Sequence, residues 1–223
     1  MKLESRFILC YLGMAMVGTG SWLFHMTLKY EWQLADELPM IYCTAFALNC
    51  LLQAQRKSPS GKLVPFLLFL YCFGVTLIYL VNRNPVFHEV AYGLQVLFYT
   101  VYGAYVQKGV SKAKPHLHKN MVGIMSHAFF AFLLSFIVWN LDNMYCDTLR
   151  EIRFRVHPVI SPLFQFHALW HIGTGIGCYG AIVYQQMLRI VILDQDHMYS
   201  IKYFLGLIPY IADIRGELKQ RKA

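Results

Sequence analysis

Gln165-Phe166-His167-Ala168-Leu169-Trp170-His171 sets two histidines four residues apart inside the apolar run 162–187. At helical spacing both imidazoles leave the same face, one turn apart. A run of this length crosses a bilayer as a helix. Ionisable side chains at that depth are costly without partners, so the pair marks a functional site by default. Two readings compete. Each histidine can hydrogen-bond to a neighbouring helix, or the pair can present two ligands to one metal ion.

The surrounding chain has the composition of a membrane protein. Of its 223 residues 57% are hydrophobic and 14% charged, against about 25% charged in soluble domains. The formal net charge of +8 alone would fit nucleic acid. The basic residues, however, fall in short clusters between apolar runs, which is the pattern of membrane loops, and nucleic acid is not an expected partner. The six cysteines (Cys10, Cys43, Cys50, Cys72, Cys146, Cys178) include no CxxC, so neither a zinc knuckle nor a redox motif is indicated.

The expected fold is an all-α integral membrane protein, one domain over 1–223. Six transmembrane helices are predicted at 7–28, 38–54, 63–81, 86–106, 122–141 and 162–187. The stretches 55–62 and 107–120 read as polar, basic loops. Residues 188–223 read as a tail, in which 203–212 is an interfacial segment or a docked part of the tail and not a seventh span. The first apolar run is longer than the core of a signal peptide and reads as a retained helix. Six spans put fifteen Lys and Arg on one face and five on the other. The richer face, with both termini, is therefore expected in the cytoplasm.

That orientation places His167 and His171 near the opposite, lumenal face. The first helix leaves toward the same face with Ser21 and His25 one turn apart, and Asp36 and Glu37 sit where the second helix enters. Ser21, His25, Asp36, His167 and His171 therefore share one depth and can converge. Three imidazoles with an open fourth position form the ligand set of a catalytic zinc ion. Asp36 is the candidate general base and Ser21 a candidate hydrogen-bond donor. Asp36 also suits a helix start, and Ser21 also suits back-bonding to its own helix. His88 and Glu89 read as second-tier or interfacial, His127 as structural, and His116 and His118 as solvated. Asn140 and Asp142 can cap the fifth helix or orient a ligand imidazole.

Four blocks in this order carry a resemblance: Gly18-Thr19-Gly20-Ser21-Trp22-Leu23-Phe24-His25-Met26-Thr27-Leu28, Asp36-Glu37-Leu38-Pro39-Met40, Trp139-Asn140-Leu141-Asp142-Asn143 and Phe166-His167-Ala168-Leu169-Trp170-His171. Together they resemble the alkaline ceramidases of the phytoceramidase type. The wider superfamily, with the adiponectin receptors, is similar only in the SxxxH, Asp and HxxxH skeleton. The resemblance implies a seven-helix membrane hydrolase of the endoplasmic reticulum and Golgi that cleaves ceramide to a sphingoid base and a fatty acid. It implies zinc on His25, His167 and His171, Asp36 as base on the zinc water, and Ser21 assisting. Family members also carry an acidic, calcium-binding segment and one more helix before the first run seen here. The Ca2+ site is thus expected to be missing, with Cys146 a free thiol.

Three functions follow as expectations. The first is zinc-dependent hydrolysis of ceramides. The second is a catalytically impaired or receptor-like membrane protein whose zinc is mainly structural. The third is a b-haem carrier using two of the histidines.

Overall fold

The computed structural model describes residues 4–54, 61–206 and 208–215. Among these, six α-helices form: α1 (Ser5–Thr27), α2 (Tyr30–Leu52), α3 (Leu63–Asn82), α4 (Pro85–Ala113), α5 (His118–Arg155) and α6 (Phe166–Ile192). An antiparallel hairpin follows, β1 (Tyr199–Phe204) with β2 (Ile208–Asp213).

Tight links set two of the helix pairs. Leu28 closes α1 in the left-handed region (φ 52°), its N–H donating to Phe24 O at 2.7 Å. Lys29 is extended and α2 starts at the next residue, so the two helices return antiparallel. Arg83 closes α3 in the same way (φ 53°), donating to Tyr79 O at 2.8 Å. Asn84 then caps α4 by accepting from the Val86 N–H at 3.0 Å, with Pro85 in the first turn, where its missing N–H costs nothing.

The α5–α6 pair packs through glycines. A Cβ at Gly173 would lie 1.8 Å from Ser135 Oγ, and one at Gly177 would lie 2.9 Å from Ala128 O. Small residues let membrane helices approach to backbone contact.

Three helical segments, Ser5–Thr27, Leu63–Asn82 and Pro115–Arg155, are long and apolar enough to cross a membrane. The outer face of α3 exposes Phe66, Leu67, Phe69, Phe73, Leu77 and Ile78, as a lipid-facing surface does. The remaining helices are long enough but more polar, and α6 keeps its polar groups inside the bundle. Gln185 donates to Ala47 O at 2.9 Å and Tyr99 Oη at 2.7 Å. Arg189 is buried and donates to Ala54 O at 3.0 Å and Glu4 Oε1 at 2.9 Å. Satisfied donors of this kind make a buried polar stripe tolerable. Arg189 therefore belongs to the last turns of α6, not to a solvated tail beginning at 188.

Other boundaries also differ from the hydropathy pattern. Apolar character fades at 141, yet α5 continues to Arg155 across a kink at Tyr145 (φ −122°, ψ 24°). No Gly or Pro interrupts 124–157, and the Arg155–Glu151 pair at 3.2 Å spans one turn of the extension. The helix leaves the apolar zone without ending. The expected loop 107–120 is mostly helix: α4 runs to Ala113, α5 starts at His118, and a short 3-10 turn, Pro115–Leu117, joins them. Of the loop 55–62, residues 55–60 lie outside the described residues, as do 216–223 of the tail.

Within 203–212 the described residues form most of a hairpin, a departure from an all-α chain. Tyr199 opposes Asp213 and Phe204 opposes Ile208. Ile201 and Ile211 face each other and pack on a core built by Leu51, Val106, Met121, Ile124 and Leu188. Between the strands Leu205 (φ 51°) and Gly206 (φ 73°) adopt left-handed backbone, which glycine takes at no steric cost. Lys114 ties this end together, pairing with Asp194 at 2.8 Å and with Asp196. His116 is exposed, with its Nε2 3.6 Å from Asp196 Oδ2. His118 Nδ1 meets Ser111 Oγ at 2.6 Å.

Candidate metal centre

His25 lies in the last turn of α1, and His167 and His171 lie in the first two turns of α6. One ring nitrogen from each lies within 4.8 Å of the others. His25 Nε2 stands 3.2 Å from His167 Nε2 and 3.1 Å from His171 Nε2. The rings meet edge-on, at 70–78° to one another, like blades around a common point.

This donor set fits a zinc ion. His25 Nε2 carries at most one proton, so it cannot serve both neighbours as a full hydrogen-bond partner. A cation satisfies all three nitrogens at once. Nitrogens held tetrahedrally at zinc bond lengths of about 2.0–2.1 Å stand roughly 3.3 Å apart, close to the two separations at His25.

Ser21 and Asp36 flank a tight contact between α1 and α2. Pro39 has no N–H to donate to Ala35 O, which leaves that carbonyl free. Gly20 faces it, and a Cβ there would overlap the oxygen at 1.9 Å. The contact sets Ser21, which is buried, against Asp36. Asp36 has Ser21 and His25 as polar neighbours at this contact.

The three histidines line a cleft of about 300 Å3. Asp142, Cys146 and Arg153 line it from the far end of α5, and Gln165 from the start of α6. Asn140 does not enter the site: its side chain donates to Phe136 O at 2.7 Å.

The family model for Ceramidase matches residues 1–212. The chain belongs to the ceramidase family. It is 41% identical to alkaline ceramidase 3 of Mus musculus over 211 residues, covering 94% of this chain and 76% of that one. Alkaline ceramidase YPC1 of Saccharomyces cerevisiae is 32% identical over 255 residues, covering 99% of this chain and 80% of its own. Alkaline ceramidase of Arabidopsis thaliana is 26% identical over 212 residues, covering 94% of this chain and 75% of its own. The match makes this chain an enzyme, a ceramidase.

In this ceramidase the neighbouring carboxylates Asp36 and Glu37 diverge, because consecutive helical residues point about 100° apart. Glu37 turns toward α3 and accepts from Tyr79 Oη and, at 3.0 Å, from Gln33 Nε2. His88 is buried against the Tyr79 ring, 5.3 Å between centroids. His88 and Glu89 both sense the Glu37 charge, and neither lines the cleft. His127 Nε2 is buried without a hydrogen-bond partner among the described residues.

Arg153 and Gln165 are the cleft residues that motif reading passes over. A signal for Arg153 does exist. Residues 142, 146 and 153 repeat at i, i+4 and i+11, one helical face, but only if the helix is carried beyond 141.

Proposed function

We propose that this ceramidase hydrolyses the amide bond of ceramides with the aid of zinc, releasing a sphingoid base and a fatty acid. The observation that carries the reading is the convergence of His25, His167 and His171 on one point at an open cleft. Zinc held there would supply Lewis acidity, making water acidic enough to lose a proton near pH 7. Asp36 takes that proton on its carboxylate and returns it to the sphingoid nitrogen as the C–N bond breaks. Ser21, a polar neighbour of Asp36, would orient that carboxylate by a hydrogen bond from its hydroxyl.

The substrate reaches the site from within the membrane, since ceramide is a lipid with two apolar chains. We read all six helices as spans, in the membrane of the endoplasmic reticulum or Golgi. The tail lies in the cytoplasm and the cleft on the lumenal side. The fifteen-to-five distribution of Lys and Arg supports that orientation.

The test is zinc content and ceramide hydrolysis of the purified chain in lipid nanodiscs, for wild type and His167→Ala. Loss of both in the variant is expected. A wild-type chain without zinc, or a variant unchanged in both, defeats the proposal. Full zinc occupancy with no turnover on any lipid amide favours the receptor-like role with structural zinc.

A further inference from the structure

We propose that Arg153 is the receptor for the carboxylate of the fatty acid product, held in the same cleft as the three histidines. The inference rests on the amide-hydrolysis reading above and assigns that reaction a product site.

Arg153 lies on the part of α5 beyond the Tyr145 kink and lines the cleft together with His25, His167 and His171. Its guanidinium donates to Phe164 O at 3.4 Å, two residues before α6 begins. That bond pins the α5 extension to the chain leading into the histidines. A guanidinium carries five donors, and among the described residues Arg153 makes no further hydrogen bond and no ion pair. Asp142 shares the cleft without reaching salt-bridge distance. A partly sheltered cation is therefore aimed at the space where the reaction occurs, with most of its donors unspent.

The chemistry of hydrolysis says what those donors meet. Water adds across the amide: the acyl carbon gains the oxygen and the nitrogen gains a proton. Near neutral pH the new acid gives its remaining proton to solvent. A neutral amide thus becomes a carboxylate within the cleft. Ceramide offers no formal charge to a guanidinium, whereas the fatty acid offers two oxygens at the spacing a planar fork accepts. Arg153 therefore distinguishes product from substrate, retains the acid, and makes the enzyme subject to inhibition by free fatty acid.

The test measures binding of a fluorescent long-chain fatty acid to the 223-residue chain in nanodiscs, without ceramide, in competition with palmitic acid and with the matching fatty alcohol. Inhibition of ceramide hydrolysis by palmitate and by sphingosine is measured beside it. Wild type should prefer the acid to the alcohol. Arg153→Gln should weaken acid binding and palmitate inhibition by about tenfold or more, the scale of a lost charged hydrogen bond. Sphingosine inhibition should not change. Arg153→Lys, which keeps the charge without the fork, should fall between. Arg153-dependent acid binding in a chain that turns over no ceramide defeats the catalytic reading and leaves this site standing. Active wild type with no acid-over-alcohol preference overturns the inference, as does Arg153→Gln that folds and binds the acid as wild type does. A rise in ceramide KM with acid binding unchanged also overturns it, by making Arg153 a substrate contact.

Discussion

Gly20 has no side chain where a Cβ would lie 1.9 Å from the carbonyl oxygen of Ala35. The residues next in sequence are Ser21 and Asp36, and Asp36 has Ser21 and His25 as polar neighbours. The close approach of α1 and α2 at this point sets the distance between the proposed base and the metal centre. Gly20→Ala must push the helices apart. The cost expected for such overpacking is about 1–3 kcal/mol. A displacement near 1 Å at the reacting groups costs about a hundredfold in rate. Gly18→Ala is the control, since a Cβ there meets nothing within 4 Å. Thermal unfolding and ceramide turnover of the two variants check this. Equal behaviour of the two refutes it.

Asp36 and Glu37 are adjacent in sequence but face different partners, so their substitutions should separate. Asp36→Asn removes the proton acceptor and is expected to lower kcat by about 10²–10⁴-fold, with zinc retained. Ser21→Ala removes the hydrogen bond proposed for that carboxylate and should cost about five- to tenfold. Glu37→Gln keeps an acceptor for Tyr79 and should stay within a few-fold of wild type. Zinc analysis beside steady-state rates decides the matter. Loss of zinc in Asp36→Asn would make Asp36 a ligand or a structural residue instead of a base.

The α5–α6 contact offers a coupled test. At Gly173 an added Cβ meets Ser135 Oγ at 1.8 Å, but the next atom, Ser135 Cβ, lies at 3.1 Å. Removing the hydroxyl makes most of the room required. Gly173→Ala alone should destabilise the protein and weaken zinc binding, because His171 is two residues away on the same helix. In a Ser135→Ala background the same substitution should cost markedly less, with a coupling of about 0.5–3 kcal/mol. Additive costs in the double-mutant cycle would show that the two helices are not held by this contact.

The spacing of the histidines carried most of the site. The i, i+4 repeat at His167 and His171 and the matching depth of His25 allow three imidazoles to converge, and only the packing of α1 against α6 brings one ring nitrogen of each within 4.8 Å of the others. Arg153 escapes because hydropathy registers where a helix leaves the apolar zone, not where its hydrogen bonding stops. The hairpin escapes for a related reason. Its strands are short, and their apolar residues Ile201 and Ile211 pack on the end of α6, a tertiary contact with no local period. Glu37 looks equivalent to Asp36 in a string of letters. Only the position of Tyr79, 42 residues on, separates their roles.

Lys114 joins the α4–α5 link to the segment between α6 and β1 by pairing with Asp194 and Asp196. The two carboxylates, Asp194 foremost, raise the Lys114 pKa above its ordinary 10.5. Burial pushes the Asp196 carboxyl up, but hydrogen bonds from Lys114 and its own backbone amide, with the Lys114 charge, outweigh it and hold the group below 3.8. A lowered carboxyl stabilises the fold above its unfolded value and loses that contribution as pH falls through the folded one. A raised ammonium stabilises below its unfolded value and loses that contribution as pH rises through the folded one. The latch is therefore closed from about pH 4 to about pH 10. Asp196→Asn should raise hydrogen exchange in β1 and β2 at pH 7, with a local loss on the order of 1 kcal/mol. The difference from wild type should shrink below about pH 4, where Asp196 begins to protonate in the wild type as well. Exchange in the hairpin that is unaltered by Asp196→Asn at pH 7 would show that its packing on α6 suffices to hold it.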